Sequence, residues 1–184
     1  MDFKETIKKK LQDYHRAKIR YPNNNKSNEF NYNSIKNTAL LFFIKGKSDL
    51  DVVRSVIRKA RNDDNKINTV IYSDVNHNVD VITDRDFHIF NSDDFDYRWR
   101  PKQQLQQWLD NHNFDLVINF CFDGRPEMIN IYSLLNSKFR IANQNTDNFI
   151  HSDLTINIKE NQVDFNSFYN LAIQNLKMLN IKRS

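Results

Sequence analysis

Two apolar runs of strand length place the strongest constraint on what this chain can fold into. "TALLFFI" occupies residues 38–44 and "FDLVINFCF" occupies residues 114–122. Both runs are continuous rather than alternating, which is typical of parallel strands buried on both faces. A turn and a helical pattern follow each run, the second helix opening with Pro126. The sequence therefore predicts an α/β protein with a single Rossmann-like, mostly parallel open sheet and helices on both faces.

The remaining apolar patterns complete this alternation of strands and helices. They predict strands at 67–73, 79–83, 138–143 and 153–159, and helices at 101–112, 125–137 and 163–179. About five residues separate the strands at 67–73 and 79–83, which is too few for a parallel crossover. These two strands are expected either to form a hairpin or not to be neighbours. Residues 84–100 are predicted to be a long acidic and aromatic loop.

Length and cysteine content narrow the class of protein. A chain of 184 residues suits one well-buried domain. The lone Cys121 lies in an apolar strand, where it is expected to be a core residue, and it has no partner for an internal disulfide. No apolar run reaches the roughly 20 residues of a membrane span, and the charged N-terminus lacks the apolar centre of a signal peptide. We expect a cytoplasmic protein.

The positive charge is concentrated in one segment. Residues 1–26 carry eight Lys/Arg and three Asp/Glu, a net charge of +5, whereas the whole chain carries +4. Helical spacing of apolar residues predicts an amphipathic helix here, separate from an α/β domain at 27–184. Three roles stay open for it: docking on the domain, contact with RNA or a ribosome, and contact with a membrane surface or protein. Its candidate contact residues are Lys8, Lys9, Lys10, Arg16, Lys18 and Arg20.

The first strand runs into Gly46-Lys47-Ser48, which are the last three residues of a Walker A motif. The complete motif needs a glycine five residues before Gly46, and Leu41 holds that position inside the strand. Too few N–H groups can then converge on a β-phosphate. The sequence favours a tight turn in which Gly46 adopts a positive φ. The alternative is an anion site of another kind that uses Gly46, Lys47 and Ser48.

The stretch "CFDGRPE" at residues 121–127 is better placed for ligand binding. It lies at the carboxyl end of a central strand and at a helix N-terminus, where open α/β sheets bind ligands. Gly124 and Arg125 are therefore candidates for holding a carboxylate or phosphate. The alternative is an ordinary strand-to-helix turn. The five histidines show no metal-ligand spacing, so neither a metal nor a cofactor is predicted.

The acidic and aromatic loop offers a second candidate surface. It contains Asp-x-Asp twice, at Asp84/Asp86 and Asp94/Asp96, but in so Asp-rich a chain a solvated loop is favoured over a metal site. Aromatic residues mixed with charge often mark a contact surface. Three such residues are candidates for binding a partner: Phe95, Tyr97 and Trp99. The alternative is that their side chains fold back onto the core.

Residues 38–73 and 114–143, the latter reading "FDLVINF…KFRIAN", resemble the N-terminal lobe of heptosyltransferase-like glycosyltransferases. The whole chain is even more similar to a family of short proteins of unknown function from the Bacteroidetes lineage. The transferase resemblance implies a catalytic aspartate in the first loop, where Asp49 and Asp51 stand without the accompanying glycine. It also implies a second, sugar-nucleotide-binding lobe, which 184 residues cannot contain. We therefore do not extend glycosyltransferase activity from these enzymes to this chain.

These features together predict a non-catalytic cytoplasmic binding or interaction module. The expected contact is with RNA, a ribosome or a protein partner, made through the basic N-terminal helix. The alternative is a small glycosyltransferase-like enzyme or sensor. It would bind a phosphorylated or sugar-nucleotide ligand at the carboxyl edge of the sheet, with Asp49, Asp51 and Arg125 as its residues.

Overall fold

A computed structural model describes residues 31–62, 66–73, 87–122, 125–144, 152–158 and 164–181. Several predicted features lie outside these ranges. They are the basic segment at 1–26, the strand at 79–83 and its relation to the strand at 67–73, the Asp84/Asp86 pair, and Gly124. None of the helices in the described ranges has the length and apolar character of a transmembrane span.

The predicted α/β fold is confirmed. Within the described ranges the chain forms one sheet of six parallel strands and four α-helices. The strands are β1 (Asn37–Ile44), β2 (Lys66–Ser73), β3 (Phe87–Phe90), β4 (Asn113–Asn119), β5 (Asn136–Asn143) and β6 (Leu154–Ile156). The helices are α1 (Lys47–Arg61), α2 (Gln103–Asn111), α3 (Pro126–Leu134) and α4 (Phe165–Ile181). Short 3-10 turns occupy Tyr32–Ser34 and Ser92–Asp94.

The strand order is β3-β2-β1-β4-β5-β6, and the continuous apolar runs form its centre. Leu40 and Phe42 of β1 face a core covered by α1 and α4. Leu41 and Phe43 alternate with them and face a second core, covered by α2 and α3. Helices on both faces explain why the central residues of β1 and β4 are continuously apolar rather than alternating.

This order has a consequence for where a ligand can bind. From β1 the chain leads to α1 on one face of the sheet, and from β4, the neighbouring strand, it leads to α3 on the other face. The two connections therefore diverge at the carboxyl ends of adjacent strands. Such a topological switch point opens a crevice, and open α/β sheets bind their ligands there.

Among the differences from the sequence prediction, three concern β3, β4 and α3. β3 lies inside the stretch predicted to be a loop, because an edge strand of four residues gives almost no periodic signal. β4 ends at Asn119 rather than residue 122, since the amide of Cys121 bonds to the Asn119 side chain instead of a neighbouring strand. α3 ends at Leu134, where Leu135 becomes extended and leads directly into β5.

Candidate functional site

The candidate site is the crevice at the carboxyl ends of β1 and β4. β4 stays paired with β1 up to its last residue, and just beyond it Phe120 donates from its backbone N–H to the carbonyl of Leu41 at 2.8 Å. Lys45 and Gly46 follow β1, and Arg125 stands at the start of α3 after β4. The structure therefore brings the two predicted ligand loops to the same edge of the sheet.

Two cationic side chains meet on the ring of Phe43, close to the end of β1. The guanidinium carbon of Arg125 lies 3.7 Å from the centre of the Phe43 ring, and Lys45 Nζ lies 5.7 Å from it. Phe43 is buried and faces the core below α2 and α3. A ring face holds a cation by electrostatic attraction. Phe43 thus positions one cation from each loop at the switch point.

The N-terminus of α1 is closed by a carboxylate of its own. Asp49 Oδ2 accepts from the backbone N–H groups of Lys45 at 2.7 Å and Gly46 at 3.3 Å. Gly46 has φ −169°, so it is extended, and the expected positive φ is wrong. A Cβ placed on Gly46 would meet nothing within 4 Å. The turn is tight, as predicted, and an acidic side chain already accepts from two of its backbone N–H groups.

The N-terminus of α3 is arranged differently. Arg125 is its N-cap residue, with no hydrogen bond from its side chain to the first turn, and Pro126 follows at the first helical position. The positive end of a helix dipole favours anions and disfavours cations. Arg125 therefore adds positive charge to an end of a helix that is already electropositive. Glu127, also in the first turn, is buried at 6% exposure.

Asn119 adds a polar group to the otherwise apolar end of β4. Its side chain is fully buried, and its Oδ1 accepts from the backbone N–H of Cys121 at 2.9 Å. Within the described part of the chain, its Nδ2 has no hydrogen-bond partner. Asn119 is not among the residues predicted from the sequence, although a single Asn within the apolar stretch "FDLVINFCF" is a visible signal.

The other predicted site residues are spread more widely. Ser48 is exposed in the first turn of α1. The side chain of Lys47 is not among those that the structure describes. Asp51 points to solvent and pairs with Arg54, with 3.2 Å between Oδ1 and Nη1. Asp49 is engaged by backbone N–H groups. Catalytic roles for Asp49 and Asp51 stay predictions.

The three aromatic residues of the second candidate surface have different environments. Phe95 is buried, and Trp99 packs against the core below α2 and α3, with its carbonyl accepting from Asn130 Nδ2 at 2.7 Å. Tyr97 is 75% exposed. Trp99 has φ +60°, which is uncommon for a non-glycine residue. Of the three residues, Tyr97 is the most exposed, while Trp99 is half-buried.

Asp96 organises the turn that carries Tyr97. Its carboxylate accepts from the backbone N–H groups of Arg98 at 2.8 Å and Arg100 at 3.0 Å, and it pairs with the Arg100 side chain. Burial alone would raise the pKa of Asp96, but these hydrogen bonds and the Arg100 charge hold the pKa below its ordinary value. Among the described residues, no cluster of three His, Cys, Asp or Glu side chains could hold a metal ion.

Comparison with known protein families gives one match, which covers nearly the whole chain. A model described as "Family of unknown function (DUF6913)" matches residues 5–179. The chain belongs to this family. No curated protein and no solved structure matches it. Membership in the DUF6913 family confirms the expected similarity to a family of unknown function, while the resemblance to glycosyltransferases stays a prediction.

Proposed function

We propose that this protein is a binding module for a phosphorylated small molecule, held at the crevice between the ends of β1 and β4. The observation that carries the proposal is the position of Arg125, which stacks on Phe43 at the N-cap of α3. A bound phosphate would interact with the guanidinium, with Lys45 and with the positive end of the helix. The site lies at the switch point of the sheet.

The electrostatics of the two helix starts support one phosphate site rather than two. At α1, Asp49 already supplies the negative charge and accepts from two backbone N–H groups. At α3, the residue at the N-cap is a cation, and Glu127, the acidic residue of the first turn, is buried. The proposed phosphate therefore binds on the α3 side, and the α1 side does not provide the cradle that a nucleoside triphosphate needs.

The proposal favours binding or sensing over catalysis. Asp49 serves as the cap of α1, and Asp51 forms an exposed ion pair on its surface. A general base must be able to reach a reacting proton at about 2.6–3.2 Å. Asp49 and Asp51 make their contacts with α1 and with the turn before it. These contacts give no reason to place either carboxylate beside the Phe43 ring. A regulatory site works by binding alone, because the bound ligand stabilises one conformation of the protein. The cations of the crevice are sufficient for such a site.

Thermal unfolding in inorganic phosphate and pyrophosphate tests this proposal, with chloride used to match the ionic strength. We expect phosphate to raise the melting temperature, by the equivalent of about 2.7 kcal/mol at a hundredfold excess over Kd. Arg125→Ala should abolish this response. Arg98→Ala is the matched control, because its guanidinium also lies against a ring, 4.9 Å from the centre of Tyr97. An unchanged response in Arg125→Ala would overturn the proposal.

The charge distribution favours a second candidate function that does not exclude the first. Residues 1–26 have a net charge of +5, and residues 27–184 therefore carry about −1. We propose that this segment contacts RNA, a ribosome or an acidic protein partner in the cytoplasm. Binding to RNA should weaken steeply with salt, because each neutralised phosphate releases counterions. Binding that is insensitive to salt, or equal for full-length protein and residues 27–184, would contradict an RNA contact through this segment.

A further inference from the structure

We propose that Asn119 is a second recognition point of the same site, so that the ligand is an organic phosphate ester bearing a further hydroxyl or carbonyl oxygen. This inference rests on the proposed function and makes its ligand class more specific. Asn119 ends β4 and is fully buried, and no hydrogen-bond partner lies within reach of its Nδ2 in the described residues. Buried donors without an acceptor are rare in folded proteins, and a missing ligand or water is a common explanation.

The carboxamide of Asn119 lies at the carboxyl end of β4, the end of the strand that borders the crevice. Its Oδ1 accepts from the N–H of Cys121, two residues further along the chain, which fixes the side chain toward the carboxyl end of the strand. In the sheet register Asn119 lies beside Leu41 of β1, and an aliphatic side chain offers no acceptor. The α3 N-terminus, with Arg125 at its N-cap, follows within a few residues. A donor and a cation are thus presented at the same edge.

Other buried amides of the same fold have acceptors. Asn68 Nδ2 donates to Asn37 Oδ1 at 2.6 Å, near the amino end of the sheet. Asn130 Nδ2 donates to the carbonyl of Trp99 at 2.7 Å. Both residues are more than nine-tenths buried, as Asn119 is. Among the described residues, the buried indole N–H of Trp108 also lacks an acceptor, but Asn119 differs from the amides of Asn68 and Asn130 in having none.

The chemistry of an amide donor defines what it can recognise. The phosphate of the ligand is assigned to Arg125 and Lys45, so Nδ2 requires a second oxygen elsewhere in the molecule. A site with a buried donor discriminates against an analogue that lacks the matching acceptor, because that donor is then left unpaired. We expect about tenfold discrimination, which is the affinity ratio of one hydrogen bond of ordinary strength.

Two phosphate monoesters of similar size provide the test. Propyl phosphate has no oxygen beyond its phosphate group, whereas glycerol 3-phosphate carries two hydroxyls on the same three-carbon skeleton. Calorimetric titration of the full chain should give a Kd about tenfold lower for glycerol 3-phosphate. In Asn119→Leu this ratio should fall to near one while propyl phosphate still binds. The matched control, Asn68→Leu, removes an amide that has an acceptor and should leave the ratio unchanged.

Asn119→Ala is a second variant in case the leucine substitution prevents folding. It removes the amide donor and puts no other donor in its place. Equal affinity of the wild-type chain for the two esters, or an unchanged ratio in both Asn119 variants, would overturn the inference and leave the phosphate site standing. Failure of inorganic phosphate and both esters to bind would instead remove the proposed function.

Discussion

Arg125 and Arg140 flank the same helix, and their surroundings differ completely. Arg140 follows α3 and is 3% exposed. Its guanidinium donates to Ser137 Oγ at 2.9 Å and to the carbonyl of Tyr132 at 3.2 Å, and further to the carbonyls of Ser133 and Leu135. Arg125 precedes α3, is partly exposed, and lies on the ring of Phe43.

The helix dipole explains what this difference means. The carboxyl end of a helix is electronegative and has carbonyls without intrahelical partners, so the position of Arg140 stabilises the fold. The amino end is electropositive, so the position of Arg125 does not. A cation at the favourable end is sufficiently explained by stability. The dipole gives no such reason for the cation at the amino end, and the following predictions test this difference between the two arginines.

The largest expected effect is that of Arg140→Ala on stability. The substitution would leave several buried carbonyls and the Ser137 hydroxyl without their donor. We expect a loss of about 3 kcal/mol or more in the free energy of unfolding. Urea denaturation measures it, and Arg140→Lys should recover only part, since one ammonium cannot reach all the acceptors. A loss below about 1 kcal/mol would refute the structural role assigned to Arg140.

A carboxylate at the opposite edge of the sheet provides the next test. Asp115 of β4 accepts from the backbone N–H groups of Lys36 at 2.9 Å and Asn37 at 3.0 Å, and pairs with Lys138 at 2.8 Å. Burial alone would raise the pKa of Asp115, but these hydrogen bonds and the Lys138 charge lower the pKa below its ordinary value of 3.8. Asp115→Asn should cost about 1–2 kcal/mol at neutral pH, most of it from the backbone bonds.

The pH dependence of that loss follows from the direction of the shift. Because the pKa is lowered in the folded state, the stabilisation by Asp115 is fully present above the pKa of the unfolded chain. It is lost as the pH falls below about 4 through the folded value. Stability measured from neutral pH down to pH 2 should therefore fall less steeply in Asp115→Asn. Parallel curves for the two proteins would contradict this account.

The sequence was sufficient for most of the sheet but not for the whole of the site. β1 and β4 could be predicted because the centres of strands buried on both faces are continuously apolar. β3 could not, since four residues at an edge, three of them half-buried, lack such a pattern. Gly46 and Arg125 were selected from their places after strands, whereas Lys45 was not. The convergence of Lys45 and Arg125 on Phe43 depends on the order of the strands, which separate sequence segments do not contain.

Arg125→Ala should have a much smaller effect on stability than Arg140→Ala. The variant loses a cation–π contact of roughly 0.5–1 kcal/mol and removes an unfavourable charge from the start of α3, worth roughly 0.3–1 kcal/mol. In a phosphate-free buffer we therefore expect a net change below about 1 kcal/mol by urea denaturation. Arg125→Lys should also change the free energy of unfolding by less than about 1 kcal/mol, because it keeps the positive charge at the start of α3. A loss as large as that of Arg140→Ala would make Arg125 a structural residue and break the contrast between the two ends of the helix.

The smallest expected effect is at the start of α1, and it separates the two helix starts of the crevice. Gly46 is extended and has open space where a Cβ would lie, so Gly46→Ala introduces neither strain nor a clash. We expect a loss of about 0.5 kcal/mol or less, from the weaker capping preference of alanine. The phosphate response should be retained, since Asp49 rather than a ligand occupies this helix start. If Gly46→Ala abolishes that response while Arg125→Ala keeps it, the anion binds at α1, and the assignment of the site to α3 is wrong.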